Sequence, residues 1–467
     1  MNHPPTYFFC GIGGSGMLPL ALIVKAHGAQ VAGSDRSLDQ GRLASKFAFL
    51  AERGIGLHKQ DGAGVTSADQ IVVASAAVED TVPDIQAAKR VGARIMLRAE
   101  LLASLFNAAS IGVAVGGTSG KSTTTGMIGW ILHQAGKDPT VMNGAVMKNF
   151  ATPDAPFASA LVGQGPAFVA EVDESDGSIA RYQPHVAVLN NVALDHKSMA
   201  ELRLLFGDFL AKAKVAIVNR DNEEAFALLG ARGLSRALTF SLYDDRATIF
   251  ARDIQLAPDG VSFVAVHREL AAEVRVRLNT PGEHNVANAL GAMLAAQACG
   301  VSLQQSGAAL AHFSGIRRRL EVVGTRRDIT VIDDFAHNPD KIAATLKTLH
   351  AFPGRVLVMF QPHGYGPLKL MRDPLIETFV RGLNDDDMLL MPEPVYYGGT
   401  TDKSMSSMII TAGVEAGGKI AHAFPDRAAC GDALIAAAKP GDRIVIMGAR
   451  DDTLSEFARE ILAKVGG

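Results

Sequence analysis

The run Gly116-Gly117-Thr118-Ser119-Gly120-Lys121-Ser122-Thr123 constrains this chain more than any other stretch, because it joins an apolar run, 110–115, to a helical one, 121–135. A strand that breaks into glycines and restarts as a helix exposes consecutive backbone N–H groups at the positive end of that helix. This is a cradle for phosphate oxygens. Lys121 would lie against the β- and γ-phosphates of a nucleotide, and the Ser122 hydroxyl would face Mg²⁺. Val115 stands where the long-spaced phosphate loop has its first glycine, so the match is to the shorter Gly-Thr-x-Gly-Lys-Ser/Thr form. The bland alternative is a glycine turn with a surface lysine.

Strand-to-helix alternation of this kind implies a parallel, doubly wound sheet, and it recurs along the chain. The first hundred residues show strands at 7–12, 30–33 and 71–75, with helical stretches at 13–28 and 82–91. After the phosphate loop come strands at 167–170, 186–189 and 215–218, then a β-rich stretch at 248–278 and helices at 285–299 and 303–312. Beyond Arg317-Arg318-Arg319, further strands are expected at 330–332, 356–360, 388–391 and 443–447. With 467 residues the chain is too long for one core. The expectation is α/β with three domains: a Rossmann-like 1–106, a central phosphate-loop domain 107–322 and a Rossmann-like 323–467.

Two further motifs carry chemistry. Glu171-Val172-Asp173-Glu174-Ser175-Asp176 crowds four carboxylates after an apolar strand, and His196 follows the next strand in Leu194-Asp195-His196. Like charges this close repel unless a cation or water separates them, and oxygen-rich sites suit Mg²⁺. A solvated acidic loop is the alternative. Near the N-terminus, Gly11-Ile12-Gly13-Gly14-Ser15-Gly16-Met17 precedes Gly33-Ser34-Asp35 by about twenty residues, which reads as a dinucleotide fingerprint. Two different phosphate loops in one chain point to two nucleotide ligands, a redox dinucleotide being one option for the first. His284-Asn285-Val286-Ala287-Asn288 opens a helix, where either Asn can serve as a cap. The arginine run, with Asp333-Asp334-Phe335-Ala336-His337-Asn338-Pro339 after it, is either part of a site or a solvated basic turn.

Composition removes several classes. A net charge of −3 offers no basic field for nucleic acid and no polybasic membrane anchor, and no apolar run reaches the roughly 20 residues of a membrane span. Cys10, Cys299 and Cys430 are too few and too scattered for a disulfide framework or a metal knuckle, which favours a reducing compartment. The N-terminal apolar run lacks the basic flank and length of a signal peptide. A cytoplasmic protein without nucleic-acid or membrane partners is expected, as a monomer or homodimer.

Taken together these motifs resemble the Mur ligase family, essentially end to end. The opening at Gly11–Met17 with Gly33-Ser34-Asp35, the Ala74-Ser75-Ala76 turn and Arg98-Ala99-Glu100-Leu101-Leu102 look most like the branch that attaches L-alanine to UDP-N-acetylmuramate. The resemblance implies an ATP-dependent amide-forming ligase of peptidoglycan synthesis, acting through an acyl phosphate, with Mg²⁺. It implies UDP-sugar contacts from Gly11, Gly13, Gly14, Ser15, Gly16, Met17, Ser34, Asp35, Ser75 and Ala76. ATP would meet Gly117, Thr118, Ser119, Gly120, Lys121, Ser122 and Thr123, with Asn288 at the adenine and Arg319 and Asp334 at the junction before the third domain. Ser122, Glu171 and His196 would hold the metal. Lys121, Glu171, His196 and His337 are the catalytic candidates, His337 either assisting the amine or bracing the junction. Closure of the third domain would complete the site.

This chain departs from the family at informative places. Gln361-Pro362-His363-Gly364-Tyr365-Gly366-Pro367 stands where the alanine-adding branch carries Gln-Pro-His-Arg-Tyr-Thr-Arg, so the basic side chains that receive the incoming carboxylate are missing, and Lys369 or Arg372 are the available substitutes. Ser198 stands where the family often has Asp. No lysine lies between Lys197 and Lys212, where some branches carry a carbamylated lysine. The junction residues Phe313–Glu321 look more like the branch that recycles the tripeptide L-Ala-γ-D-Glu-meso-diaminopimelate. A catalytically idle nucleotide-binding regulator, or a folate- or cyanophycin-type relative, are the other readings.

Overall fold

The apolar runs read from the sequence become the central strands of three sheets. A computed structural model describes residues 4–76, 78–194, 197–395, 404–449 and 451–465. The first sheet is parallel throughout, in the order Gly56–His58, Gln30–Ser34, Thr6–Cys10, Gln70–Ala74, Arg94–Leu97. Alternate residues of a strand face opposite ways, so Phe9 packs with helix Met17–Ala26 while Phe8 packs with Pro83–Val91 on the other face. The strand expected at 7–12 ends at Cys10, because Gly11, at φ +83°, turns the chain into the glycine loop.

The second sheet is ten-stranded. Its order is Ala272–Leu278, Gly260–His267, Ile249–Ala257, Leu238–Ser241, Val215–Asn219, Val186–Leu189, Ile111–Gly116, Ala167–Glu171, Thr140–Met142, Ala160–Leu161. Helices Lys121–Gln134 and Glu283–Ala298 bury one face and Met199–Lys212 the other. Four adjacent parallel strands end side by side at Met142, Glu171, Gly116 and Leu189. The carboxyl ends of such strands are where open α/β sheets bind ligands.

The first two sheets share a core. Phe106, fully buried at the end of helix Arg98–Ala108, meets Phe168 and Tyr182 edge-on at ring separations of 5.9 and 5.1 Å. By contacts, Met1–Gln255, Val261–Asn279 and His284–Ile316 form one compact unit.

Leu256–Gly260, Thr280–Glu283 and Arg317–Gly467 form the other. Its sheet runs Glu321–Arg326, Ile329–Asp334, Arg443–Gly448, Val356–Gln361, Met388–Pro392, Ile420–Phe424, antiparallel only at the first pair. The α/β class and the three-sheet architecture are those expected from the sequence. Among the described residues no helix is long and apolar enough to cross a membrane.

Candidate active site

The loop between strand Ile111–Gly116 and helix Lys121–Gln134 is shaped by two glycines. Gly117 and Gly120 sit at φ +132° and +79°, in the region that costs an L side chain strain. A Cβ on Gly120 would also lie 2.6 Å from Asn288 Oδ1 and 2.8 Å from Asn190 Nδ2. The loop is held from the neighbouring strand. Asn191 Oδ1 accepts from Thr118 Oγ1 at 2.8 Å and from the Ser119 N–H at 2.9 Å, while its Nδ2 donates to Ser119 Oγ at 2.8 Å. Thr124 Oγ1 donates to Asn288 Oδ1 at 3.2 Å and accepts from Asn190 Nδ2 at 2.9 Å. The structure therefore brings Thr118, Ser119, Gly120 and Asn288 together. The first-turn N–H groups of the helix, among them those of Lys121, Ser122 and Thr123, have no acceptor within the helix itself.

The acidic loop does not form a knot of repelling carboxylates, because each finds its own partner. Glu171, at the end of its strand, accepts from Ser122 Oγ at 2.8 Å and from the Gly144 N–H. Glu174, almost fully buried, pairs with Lys121 Nζ at 2.7 Å. Burial raises the proton affinity of Asp173, but the Lys121 charge and the Ser175 N–H outweigh it and hold the carboxyl below its ordinary value. Asp176 faces Arg98 at 3.7 Å. The Ser122 hydroxyl and Glu171 carboxylate make a hard-oxygen pair at the mouth of the phosphate cradle. That set fits Mg²⁺, which keeps phosphate oxygens and water among its ligands. Among the described residues no group of three or more His, Cys, Asp or Glu converges on one point, and His196 lies outside the described residues.

The N-terminal glycine loop is braced rather than open. Asp35 Oδ2 accepts from the Gly13 N–H at 2.9 Å and its Oδ1 from the Ser37 N–H at 2.8 Å, so both carboxylate oxygens are engaged within the protein. Lys46, only 6% exposed, donates from Nζ to the Gly13 carbonyl at 3.2 Å. The Gly11 and Ile12 N–H groups both donate to the Ser34 carbonyl. Ser34 Oγ donates to the buried Asp84 at 2.5 Å. Gly14, Ser15, Gly16 and Met17 complete the loop and open the helix, and Ser75 and Ala76 follow the strand that neighbours the glycine strand.

In the second unit the arginine run is not a solvated turn. Arg318, at φ +59° and 7% exposed, pairs with Asp333 at 3.3 Å and donates to the Gly448 and Asp451 carbonyls. Arg319 lies over the Phe335 ring, 4.8 Å from its centre. Asp334 is spent on the fold, accepting from the Leu320 N–H at 3.0 Å and from Thr345 Oγ1 at 2.6 Å. Burial, helped by the Lys341 charge, pushes His337 down to about 3. A neutral ring then donates from Nδ1 to the Phe335 carbonyl, 2.8 Å away, which leaves Nε2 as the lone-pair nitrogen. Arg372 grips Asp373 at 2.7 and 3.1 Å on the surface.

Asn190, Asn191 and Asn143, whose Nδ2 donates to the Ser122 carbonyl at 2.8 Å, are functional neighbours that motif reading did not single out. The signal available was positional: each lies within a few residues of the end of a short apolar run.

Comparison with known proteins places this geometry. Three family models match, described as the Mur ligase family catalytic domain over residues 6–110, the Mur ligase middle domain over 115–296 and the Mur ligase glutamate ligase domain over 318–450. The chain is 35% identical to the UDP-N-acetylmuramate–L-alanine ligase of Desulforapulum autotrophicum, over 98% of each chain. It is 33% identical to the enzyme of the same name from Dinoroseobacter shibae, over 98% of this chain and 97% of that one. Solved structures are similar too, among them two ligases. The UDP-N-acetylmuramate–alanine ligase of Thermotoga maritima has a TM-score of 0.78 at 23% identity, over 98% of each chain, a likeness of fold. The murein peptide ligase of Psychrobacter arcticus has a TM-score of 0.71 at 25% identity, over 99% of each chain.

Proposed function

This chain belongs to the Mur ligase family, and from that premise we propose that it joins the lactoyl carboxylate of UDP-N-acetylmuramate to the amine of L-alanine, converting ATP to ADP and phosphate. The observation that carries the proposal is the Ser122–Glu171 contact of 2.8 Å beside Lys121, at the mouth of a phosphate cradle. The relatives that share the full length of the chain, at 33% identity and above, bear the name of the alanine-adding ligase.

The reaction divides into two balanced steps. The substrate carboxylate attacks the γ-phosphorus of ATP, forming an acyl phosphate as the bond to the β-phosphate oxygen breaks and ADP leaves. The amine then attacks the acyl carbon, loses a proton, and inorganic phosphate departs. Such chemistry needs positioning and charge neutralisation more than covalent help. The loop Gly117–Thr123 orients the triphosphate, Lys121 exchanges Glu174 for phosphate oxygens, Asn288 lies at the adenine, Arg319 contacts ATP, and Asp334 acts indirectly by holding the Leu320 N–H and Thr345. Ser122, Glu171 and His196 would hold Mg²⁺, whose charge lowers the repulsion between triphosphate and carboxylate. With a value near 3, His337 is a weak base at neutral pH, and its bond to Phe335 suits it to bracing the Asp334–Pro339 turn. The UDP-sugar belongs at Gly11–Met17, Ser34, Asp35, Ser75 and Ala76, where Asp35 acts by holding Gly13 in place. The protein works in the cytoplasm, as a monomer or homodimer.

Amine-dependent ADP release tests the proposal, with UDP-N-acetylmuramate and a panel of L-alanine, glycine, L-serine and the tripeptide L-Ala-γ-D-Glu-meso-diaminopimelate. L-Alanine is expected to be the preferred amine. Release with the tripeptide alone would move the protein to the recycling branch, and release with no amine would leave a nucleotide-binding regulator.

A further inference from the structure

Arg98 stands where the first and second sheets meet, between the N-terminal glycine loop and the acidic loop. It is the first residue of helix Arg98–Ala108, directly after the edge strand Arg94–Leu97. Its guanidinium lies against the glycine loop: a Cβ built on Gly16 would come within 3.1 Å of Arg98 Cδ and 3.2 Å of Nη1. On its other side Nη2 is 3.7 Å from Asp176 Oδ2, in the acidic loop that also carries Glu171 and Glu174. That distance is an ion pair without a hydrogen bond. The side chain is 23% exposed, and its guanidinium makes no hydrogen bond to any described residue. A largely desolvated arginine with unspent donors in a rigid fork is costly to keep for the fold alone, and its planar geometry matches phosphate. Next to it, the backbone N–H groups of Ser15 and Gly16 also donate to no described residue, unlike those of Gly11, Ile12, Gly13, Gly14 and Met17.

We infer that Arg98 binds the diphosphate of the UDP-sugar from beside the glycine loop, its guanidinium flanking the loop at Gly16, with Asp176 holding it at the rim. This rests on the UDP-sugar reading given above. It also explains the glycine at position 16: any side chain there would push the guanidinium off the loop. The Asp176 contact ties the bound diphosphate to the acidic loop that carries the Lys121 partner.

Calorimetric titration of the full chain with UDP, UDP-N-acetylglucosamine and UDP-N-acetylmuramate tests the inference. Arg98→Ala is expected to weaken all three by about 10- to 100-fold, the loss of a charge-assisted contact, while Mg-ATP affinity stays within about 2-fold. Arg98→Lys should recover part of the loss, because it keeps charge without the fork. In turnover, the KM for the UDP-sugar rises with kcat little changed. Asp176→Asn, which loosens the guanidinium without removing it, should cost less UDP affinity than Arg98→Ala. Parent-like UDP binding by Arg98→Ala would overturn the inference, as would a loss confined to UDP-N-acetylmuramate, which would put the lactoyl carboxylate there instead. An equal loss in Asp176→Asn would reduce Arg98 to a brace and overturn it too. A parent that binds UDP-sugars yet releases no ADP with any amine would sink the proposed function and leave this inference standing.

Discussion

At the scale of single residues, the site is defined by charges that satisfy one another until a ligand arrives. Lys121 and Glu174 are both largely buried and form a direct pair at 2.7 Å. Removing one partner of such a pair leaves the other charge desolvated, at roughly 3–5 kcal/mol; the partial exposure of Lys121 puts this case at the lower end. Lys121→Ala should therefore lose stability as well as ATP-dependent turnover, the latter by at least about 100-fold. The double variant Lys121→Ala with Glu174→Gln separates the two effects: urea melts should recover most of the stability and turnover should not recover. His337 carries a prediction of opposite electrostatic kind. Its native value, about 3, lies below the ordinary 6.5, so the unfolded chain binds the proton more readily. Stability from this group is complete above about pH 6.5 and falls as pH drops toward 3, by about 1.4 kcal/mol per pH unit. His337→Asn keeps an N–H for the Phe335 carbonyl without titrating, and should flatten the acid limb of a pH series of urea melts. An unchanged slope would mean that His337 is not the buried neutral ring described here.

At the scale of elements, what is read from the sequence is what local chemistry decides. The strand 110–115, glycine loop and helix 121–135 appear as Ile111–Gly116, Gly117–Gly120 and Lys121–Gln134 because apolar run, glycine turn and restarting apolar stretch follow one another without a gap, even though Ser122–Gly126 are weak helix formers. The edge strands Gly56–His58, Arg94–Leu97, Ala160–Leu161 and Ile420–Phe424 were not legible, being short, partly exposed and free of a clear alternation. The amides of Asn190 and Asn191 were not legible as loop clamps either. Their role comes from Val186–Leu189 lying beside Ile111–Gly116, a pairing across some seventy residues that no local pattern encodes. Gly120 shows how loop and clamp depend on each other. Gly120→Ala meets a left-handed backbone, roughly 1–2 kcal/mol, and a Cβ 2.6 Å from Asn288 Oδ1. Mg-ATP affinity should fall at least about 10-fold in titration calorimetry, since accommodating the methyl group means moving Asn288 or unwinding the first turn. UDP affinity, which the proposal assigns to the other glycine loop, should hold.

At the scale of the whole molecule, the sheets are distributed over two units by their cores rather than by motif. The first and second sheets carry different nucleotides in the proposed reaction, yet one apolar cluster runs from Phe9 and Phe106 to Phe168, Leu189 and Phe209. The third sheet has cores of its own around Phe360 and Phe379 on one face and Leu434 and Phe457 on the other. Sequence periodicity finds three α/β patterns and is blind to this grouping, because a helix such as Arg98–Ala108 shows an apolar face without showing which sheet it will meet. The grouping has a thermodynamic consequence. Phe106→Ala removes a fully buried ring lodged between Phe168 and Tyr182, a change that costs roughly 3–5 kcal/mol in a packed core. In scanning calorimetry the parent should show separable transitions for the two units. The variant should lower the one that Mg-ATP and UDP both raise, since both sites proposed for these ligands draw on the same core, while the other transition stays in place. If the two ligands protected different transitions, the first two sheets would be folding as independent bodies and the shared cluster would not be binding them into one.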